Sequence, residues 1–93
     1  MSDEMEVTSD NPSMRAQIDS LAVGESYSRA SRLDGDTATK LQIGAVLRGF
    51  RQTMRPTAFR ITQRTGKVFT IETGDFRTES RDMILCIVVT RLR

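Results

Sequence analysis

The 93-residue sequence contains no histidine, no tryptophan and a single cysteine, Cys86. Without histidine the chain lacks the usual general base near neutral pH and the commonest metal ligand. One cysteine excludes a disulfide within the chain and a thiolate zinc site. Set in an apolar run, Cys86 reads as a buried, inert thiol of a protein from a reducing compartment. Gly44 and Gly49 are surrounded by neither a Walker-type Gly-Lys-Ser/Thr nor a GxGxxG pattern, so no phosphate-cradling loop is expected. Carboxylates gather near the N-terminus and in loops, with none facing another acid at a strand end. Together these absences argue against an enzyme and leave no expected cofactor or metal. Long apolar runs are missing too. Nothing approaches the ~18 residues of a membrane-spanning helix, and acids rather than a basic patch follow Met1, so no secretory signal is expected. No membrane partner and a cytoplasmic location are the resulting expectations.

Acid is absent from one long stretch. From Lys40 to Lys67 there are seven basic residues (Lys40, Arg48, Arg51, Arg55, Arg60, Arg64 and Lys67) and neither Asp nor Glu. Leu41, Ile43, Val46, Leu47, Phe50, Met54, Phe59 and Ile61 are threaded through it, so the stretch must fold rather than trail as a solvated tail. The net charge of +2 understates the asymmetry, because Asp3, Glu4, Glu6 and Asp10 precede any base. Residues 13–93 carry 14 bases against 8 acids. Twelve of the 14 bases are arginine, whose planar fork suits phosphate or carboxylate better than the point charge of lysine. The expected partner is therefore a polyanion or an acidic protein surface.

A chain this short holds one modest core, burying roughly 60–65 % of its unfolded surface. Residues 1–14 are acidic and turn-rich, and read as a flexible tail. The tail serves either as a plain solubilising leader or as a shield for the basic face. Residues 15–93 read as a single domain. Ile18, Leu21 and Val23 form a small apolar cluster before Gly24. A first strand is expected over about 25–31, where Tyr27 is either a core-edge residue or a stacking platform for a base. After the turn Leu33-Asp34-Gly35-Asp36, Asp36 is a suitable N-cap for a helix over about 36–55. At about 100° per residue, Ile43, Leu47, Phe50 and Met54 share a stripe, with Lys40, Arg48, Arg51 and Arg55 in a wedge beside it. Gly44 lies within that wedge, as a point of close approach or an indifferent surface position. Pro56 is expected to end the helix.

Strands over about 58–63 and 67–73 then read as a hairpin. A three-residue loop Arg64-Thr65-Gly66, with Gly66 left-handed, opposes Ile61 to Phe69 and Phe59 to Ile71 and gathers the apolar residues on one face. Arg60 and Thr62 fall on the other. Residues 75–82 read as a charged loop in which Phe76 packs back. Met83–Val89 is apolar without alternation, which suits a strand (about 83–91) buried on both faces or meeting another chain. The expected fold is α+β, one helix on an antiparallel sheet of about four strands.

The opening Leu21-Ala22-Val23-Gly24-Glu25-Ser26-Tyr27 resembles that of a group of small phage-encoded proteins of uncharacterised function. These begin with a Leu-x-Val-Gly-Glu-Ser-aromatic strand and continue with a basic helix and a basic hairpin. Arg48-Gly49-Phe50-Arg51 and Thr57-Ala58-Phe59-Arg60-Ile61-Thr62 match that layout. The group commonly carries a Trp-Arg pair in its last strand, whereas this chain has no Trp and adds the Met83–Val89 strand. The resemblance implies a phage or prophage accessory protein that touches nucleic acid.

Two functional expectations follow. In the leading one the protein is a non-enzymatic nucleic-acid binder, DNA ahead of RNA. Lys40, Arg48, Arg51 and Arg55 hold phosphates, and Arg60, Arg64 and Lys67 extend the track across the hairpin. In the other, the same side chains meet an acidic surface on a host bacterial enzyme or a defence or transcription complex and inhibit it. A structural role in a virion is a third, lesser reading. A homodimer through the 83–89 strand is compatible with each.

Overall fold

Residues 83–91 supply the densest run of branched apolar side chains, and the sheet is assembled around them. In the computed structural model, which describes residues 13–93, the elements in chain order are α1 (Met14–Asp19), β1 (Ser26–Leu33), α2 (Lys40–Thr65), β2 (Phe69–Arg77) and β3 (Met83–Arg91). The three strands form one antiparallel sheet in the order β1-β3-β2. β1 and β2 each oppose β3 and so run parallel to one another, and α2 is the long crossover that such an arrangement requires. Both helices pack against the sheet, giving an α+β fold.

Burial along β3 alternates, as a strand with one covered face should. Leu85, Ile87 and Val89 are fully buried, while Ile84, Cys86 and Val88 point to the other side and are half-buried. Ile87 and Val89 join Ile18 of α1 and Met54 and Ile61 of α2 in the core. Met14, Leu21, Tyr27, Phe50, Phe69 and Ile71 close its margins. Tyr27 thus packs at the edge of the core. The apolar character of β3 on both faces reflects its central position in the sheet. Neither described helix lies over its outward side chains.

The largest departure from the sequence-based expectation concerns residues 56–65. They are not a strand and a hairpin loop but the second half of α2, which runs 26 residues straight past Pro56. The sheet accordingly has three strands, not four. Thr39 opens the helix through a capping box with Gln42: the Gln42 amide donates to Thr39 Oγ1 (3.1 Å) and the Thr39 amide to Gln42 Oε1 (2.9 Å). Asp36 is therefore not the N-cap. Its amide donates instead to Asp34 Oδ1 in a preceding turn. A proline inside a helix costs about 3 kcal/mol. Opposing that cost, Met54, Ala58 and Ile61 lie at i, i+4 and i+7, all buried against the sheet, and full burial of one large side chain contributes about 1.5–3 kcal/mol. The β-branched threonines that make the segment look strand-like are accommodated by back-bonding. Thr53 donates to the Gly49 carbonyl, Thr57 to that of Thr53 and Thr65 to that of Ile61. Gly66 is left-handed as expected (φ 80°), yet it caps a helix, its amide donating to the Thr62 carbonyl at 2.8 Å.

The hairpin of this fold joins β2 to β3. Strand β2 continues through Asp75, Phe76 and Arg77, pairing Phe76 with Ile84, so the charged loop shrinks to residues 78–82. Phe76 does not pack back; it is 56 % exposed on the uncovered side of the sheet. The turn closes through Thr78 N–H to the Asp82 carbonyl, with Arg81 in the left-handed region (φ 72°). The Arg81 carbonyl lies against Gly35, where a Cβ would come within 1.8 Å of it. A glycine is thus required in the β1–α2 loop for the two connections to meet. At the other end of the described chain, Ser13 caps α1 and accepts from the Ala16 amide. Ser13 and Met14 therefore belong to structure rather than to a tail. The remainder of the expected tail, residues 1–12, lies outside the described residues.

Replacing the exposed Pro56 restores an N–H to the helix. Pro56→Ala should raise stability by about 1–3 kcal/mol in urea unfolding and increase helical circular dichroism. A hairpin at 58–71 would show neither change.

Candidate anion-binding groove

The arginines of α2 diverge according to their angular position on the helix. At about 100° per residue, Arg48, Arg51 and Arg55 fall within about 60° of one another, immediately beside the buried stripe. They line an open groove of about 410 Å³ together with Gln52 and Pro56. Arg51 is anchored, its Nη2 donating to Thr73 Oγ1 of β2 at 3.0 Å. This bond ties the middle of α2 to an edge strand and fixes one wall. Arg48 and Arg55 extend from exposed positions on either side of it along the helix. Among the described residues no carboxylate lies within 4.0 Å of these three guanidinium groups. Arginine carries its charge at any physiological pH, so the groove is cationic and open to solvent.

The other four residues of the expected basic track go elsewhere. Lys40 is the first residue of α2, about 12 Å along the axis from Arg48. Arg60 is exposed and about 140° around the helix from Arg55. Arg64 and Lys67 sit on the opposite flank, where both meet Asp19 at the end of α1. Arg64 Nη2 is 2.5 Å from Asp19 Oδ2, and Lys67 Nζ is 3.0 Å from Oδ1. Lys67 also donates to the Asp19 backbone carbonyl. The hairpin that was to carry Arg60, Arg64 and Lys67 alongside the helix does not exist, so these side chains are not brought together with Arg48, Arg51 and Arg55.

Several remaining arginines make structural contacts. Arg32 pairs with Asp82 at 2.7 Å, and Arg91 donates to the Leu21 carbonyl at 2.9 Å and to that of Arg93 at 3.1 Å. The hydrogen bond from Lys67, reinforced by the charges of Lys67, Arg64 and Arg15, holds the Asp19 carboxyl below the usual aspartate range. Among the described residues no group of acidic, histidine or cysteine side chains could hold a metal ion. No helix among the described residues is long and apolar enough to cross a membrane.

Sequence reasoning found the three groove arginines but missed Pro56 as a lining residue and Phe59 as an exposed neighbour. Both omissions follow from ending the helix too early. The signal that would have found them is the Met54–Ala58–Ile61 spacing, which keeps helical period across the proline.

The molecule is an α+β protein in which a long crossover helix packs on a three-stranded antiparallel sheet and carries a guanidinium-lined groove. The chain belongs to the family described as Domain of unknown function (DUF7609), whose match spans residues 12–93. No curated protein and no solved structure matches it.

The ion pairs at Asp19 have a signature in pH. Because its folded-state value lies below the ordinary 3.8, the stabilisation is complete above that value and is lost as pH falls through the folded one. Asp19→Asn should therefore lower the melting temperature at pH 7, and the two melting curves should converge in strong acid. A difference that persists unchanged to pH 2 would dissociate Asp19 from this role.

Proposed function

We propose that this protein is a small, non-enzymatic nucleic-acid-binding protein that grips the phosphate backbone through Arg48, Arg51 and Arg55. The observation that carries the proposal is the convergence of three guanidinium groups on one open groove with no described carboxylate within 4.0 Å. Planar forks of this kind make two parallel bonds to a phosphate. Anchoring by Thr73 reduces the freedom Arg51 loses on binding. With three phosphates neutralised, log K should fall with log salt at a slope of roughly −2 to −3. Lys40, along the same helix, is placed to add a further contact to a longer ligand. Base-specific readout has little to work with, since Gln52 is the one amide side chain lining the groove. A cytoplasmic location and the accessory role suggested by the phage-like opening motif accompany this proposal.

A protein partner with an acidic surface is the second reading. It is favoured by Leu41 and Phe59, which are 86 % and 61 % exposed on α2 and would serve as apolar anchors beside the arginines. Arg48→Glu with Arg55→Glu tests both readings, because among the described residues neither side chain makes a hydrogen bond or an ion pair. The double variant should keep its far-ultraviolet circular dichroism and lose retention on DNA-cellulose at 50 mM salt. Undiminished retention would end the nucleic-acid proposal. Wild-type retention on immobilised poly-glutamate but not on DNA would favour the acidic partner.

We also propose self-association through the uncovered face of β3, where Ile84, Cys86 and Val88 point away from both helices. Ala30 and Gly74, the register partners of Cys86, leave room for close approach there. Light scattering should give twice the monomer mass at high concentration, and a clean monomer would refute it.

A further inference from the structure

Phe59 takes no part in the core of the described residues. Of the five aromatic residues, Tyr27, Phe50 and Phe69 pack against the core, and Phe76 belongs to the uncovered sheet face. Phe59 is 61 % exposed in mid-helix, where leaving a ring in water forgoes about 1.5–3 kcal/mol of burial. It follows Arg55 by four residues, so their Cβ atoms lie about 5–6 Å apart. Helical side chains lean toward the N-terminus, which directs the ring back over the turn of Arg55, next to the groove. Arg48, Gln52, Arg55 and Phe59 thus make one row, about 16 Å long at 1.5 Å per residue, of guanidinium, amide, guanidinium and ring.

We propose that the ligand of this groove is single-stranded nucleic acid, with Phe59 as the platform on which an unpaired base stacks while Arg48, Arg51 and Arg55 hold the adjoining phosphates. The inference rests on the nucleic-acid reading above and narrows it. A duplex keeps its bases stacked on one another, and Phe59 could reach one only by wedging between steps at the cost of unstacking them. A single strand presents an unpaired π-face at no such cost. Any base will serve, which fits a groove with one amide for readout.

The test is fluorescence anisotropy with labelled dT12 and a labelled 12-base-pair duplex at 50 mM salt. Wild-type protein, Phe59→Ala, Phe59→Trp and the Arg48→Glu/Arg55→Glu variant are compared, with folding checked by thermal melting. Wild type should prefer dT12. Phe59→Ala should weaken dT12 binding on the order of tenfold and leave duplex binding within a factor of about two. Phe59→Trp should retain affinity. Because the native chain has no tryptophan, quenching of its emission by dT12 would report the stack directly. If the arginine variant loses both oligonucleotides while Phe59→Ala loses neither, or if wild type prefers the duplex, the stacking inference is overturned and the phosphate grip stands. If wild type binds neither oligonucleotide, both are overturned.

Discussion

Burying Leu85, Ile87 and Val89 of β3 is the requirement to which the rest of this molecule answers. A nine-residue strand needs a cover of comparable length, and α1, with six residues, cannot supply it alone. The cover has to come from α2, and it must present Met54, Ala58 and Ile61 on one line. Only an uninterrupted helix does that. The proline is therefore carried inside the helix rather than at its end, and the chain beyond it cannot turn back as a strand. The three-strand sheet, the placement of the arginines and the exposure of Phe59 all follow from that continuity.

The same continuity divides the basic residues into two populations. Those on one side of the buried stripe, Arg48, Arg51 and Arg55, face a groove beyond the β2 edge. Those on the other, Arg64 and Lys67, come down beside α1 and are taken up by Asp19. What looks along the chain like one cationic surface is in space a working wedge and a structural clamp, separated by the thickness of the helix. Charge counted by residue overstates what is offered to a partner, because exposed ion pairs leave less unbalanced field than their bases suggest.

How much of this was legible in the sequence depended on the range of the interactions involved. The bounds of β3 were readable because the unbroken apolar run Met83–Val89 admits few alternatives. The Arg48–Arg51–Arg55 wedge was readable because helical phase is local. Residues 56–65 were misread for a physical reason. Pro56, the β-branched Thr57, Ile61, Thr62 and Thr65, and a glycine suited to a left-handed turn all agree with a hairpin by local preference. The opposing information is the helical spacing of Met54, Ala58 and Ile61, and its middle member is a small residue that carries little weight until β3 is placed beneath it. Asp19 was equally invisible as a clamp. It lies 45 residues from Arg64 and 48 from Lys67, and no local pattern announces such a pairing.

The strand order β1-β3-β2 has a kinetic corollary. Ser26 and Thr90, bonded through their hydroxyls, are 64 residues apart, and neither outer strand has a backbone partner until the last one is available. During synthesis β1 and β2 must wait as unpaired edges while the helix between them forms early from local bonds. The sheet then closes in one late event, after residues 83–91 have cleared the ribosome. A chain arranged this way cannot close its sheet before residues 83–91 are available. The capped helix is the one large element that can exist beforehand.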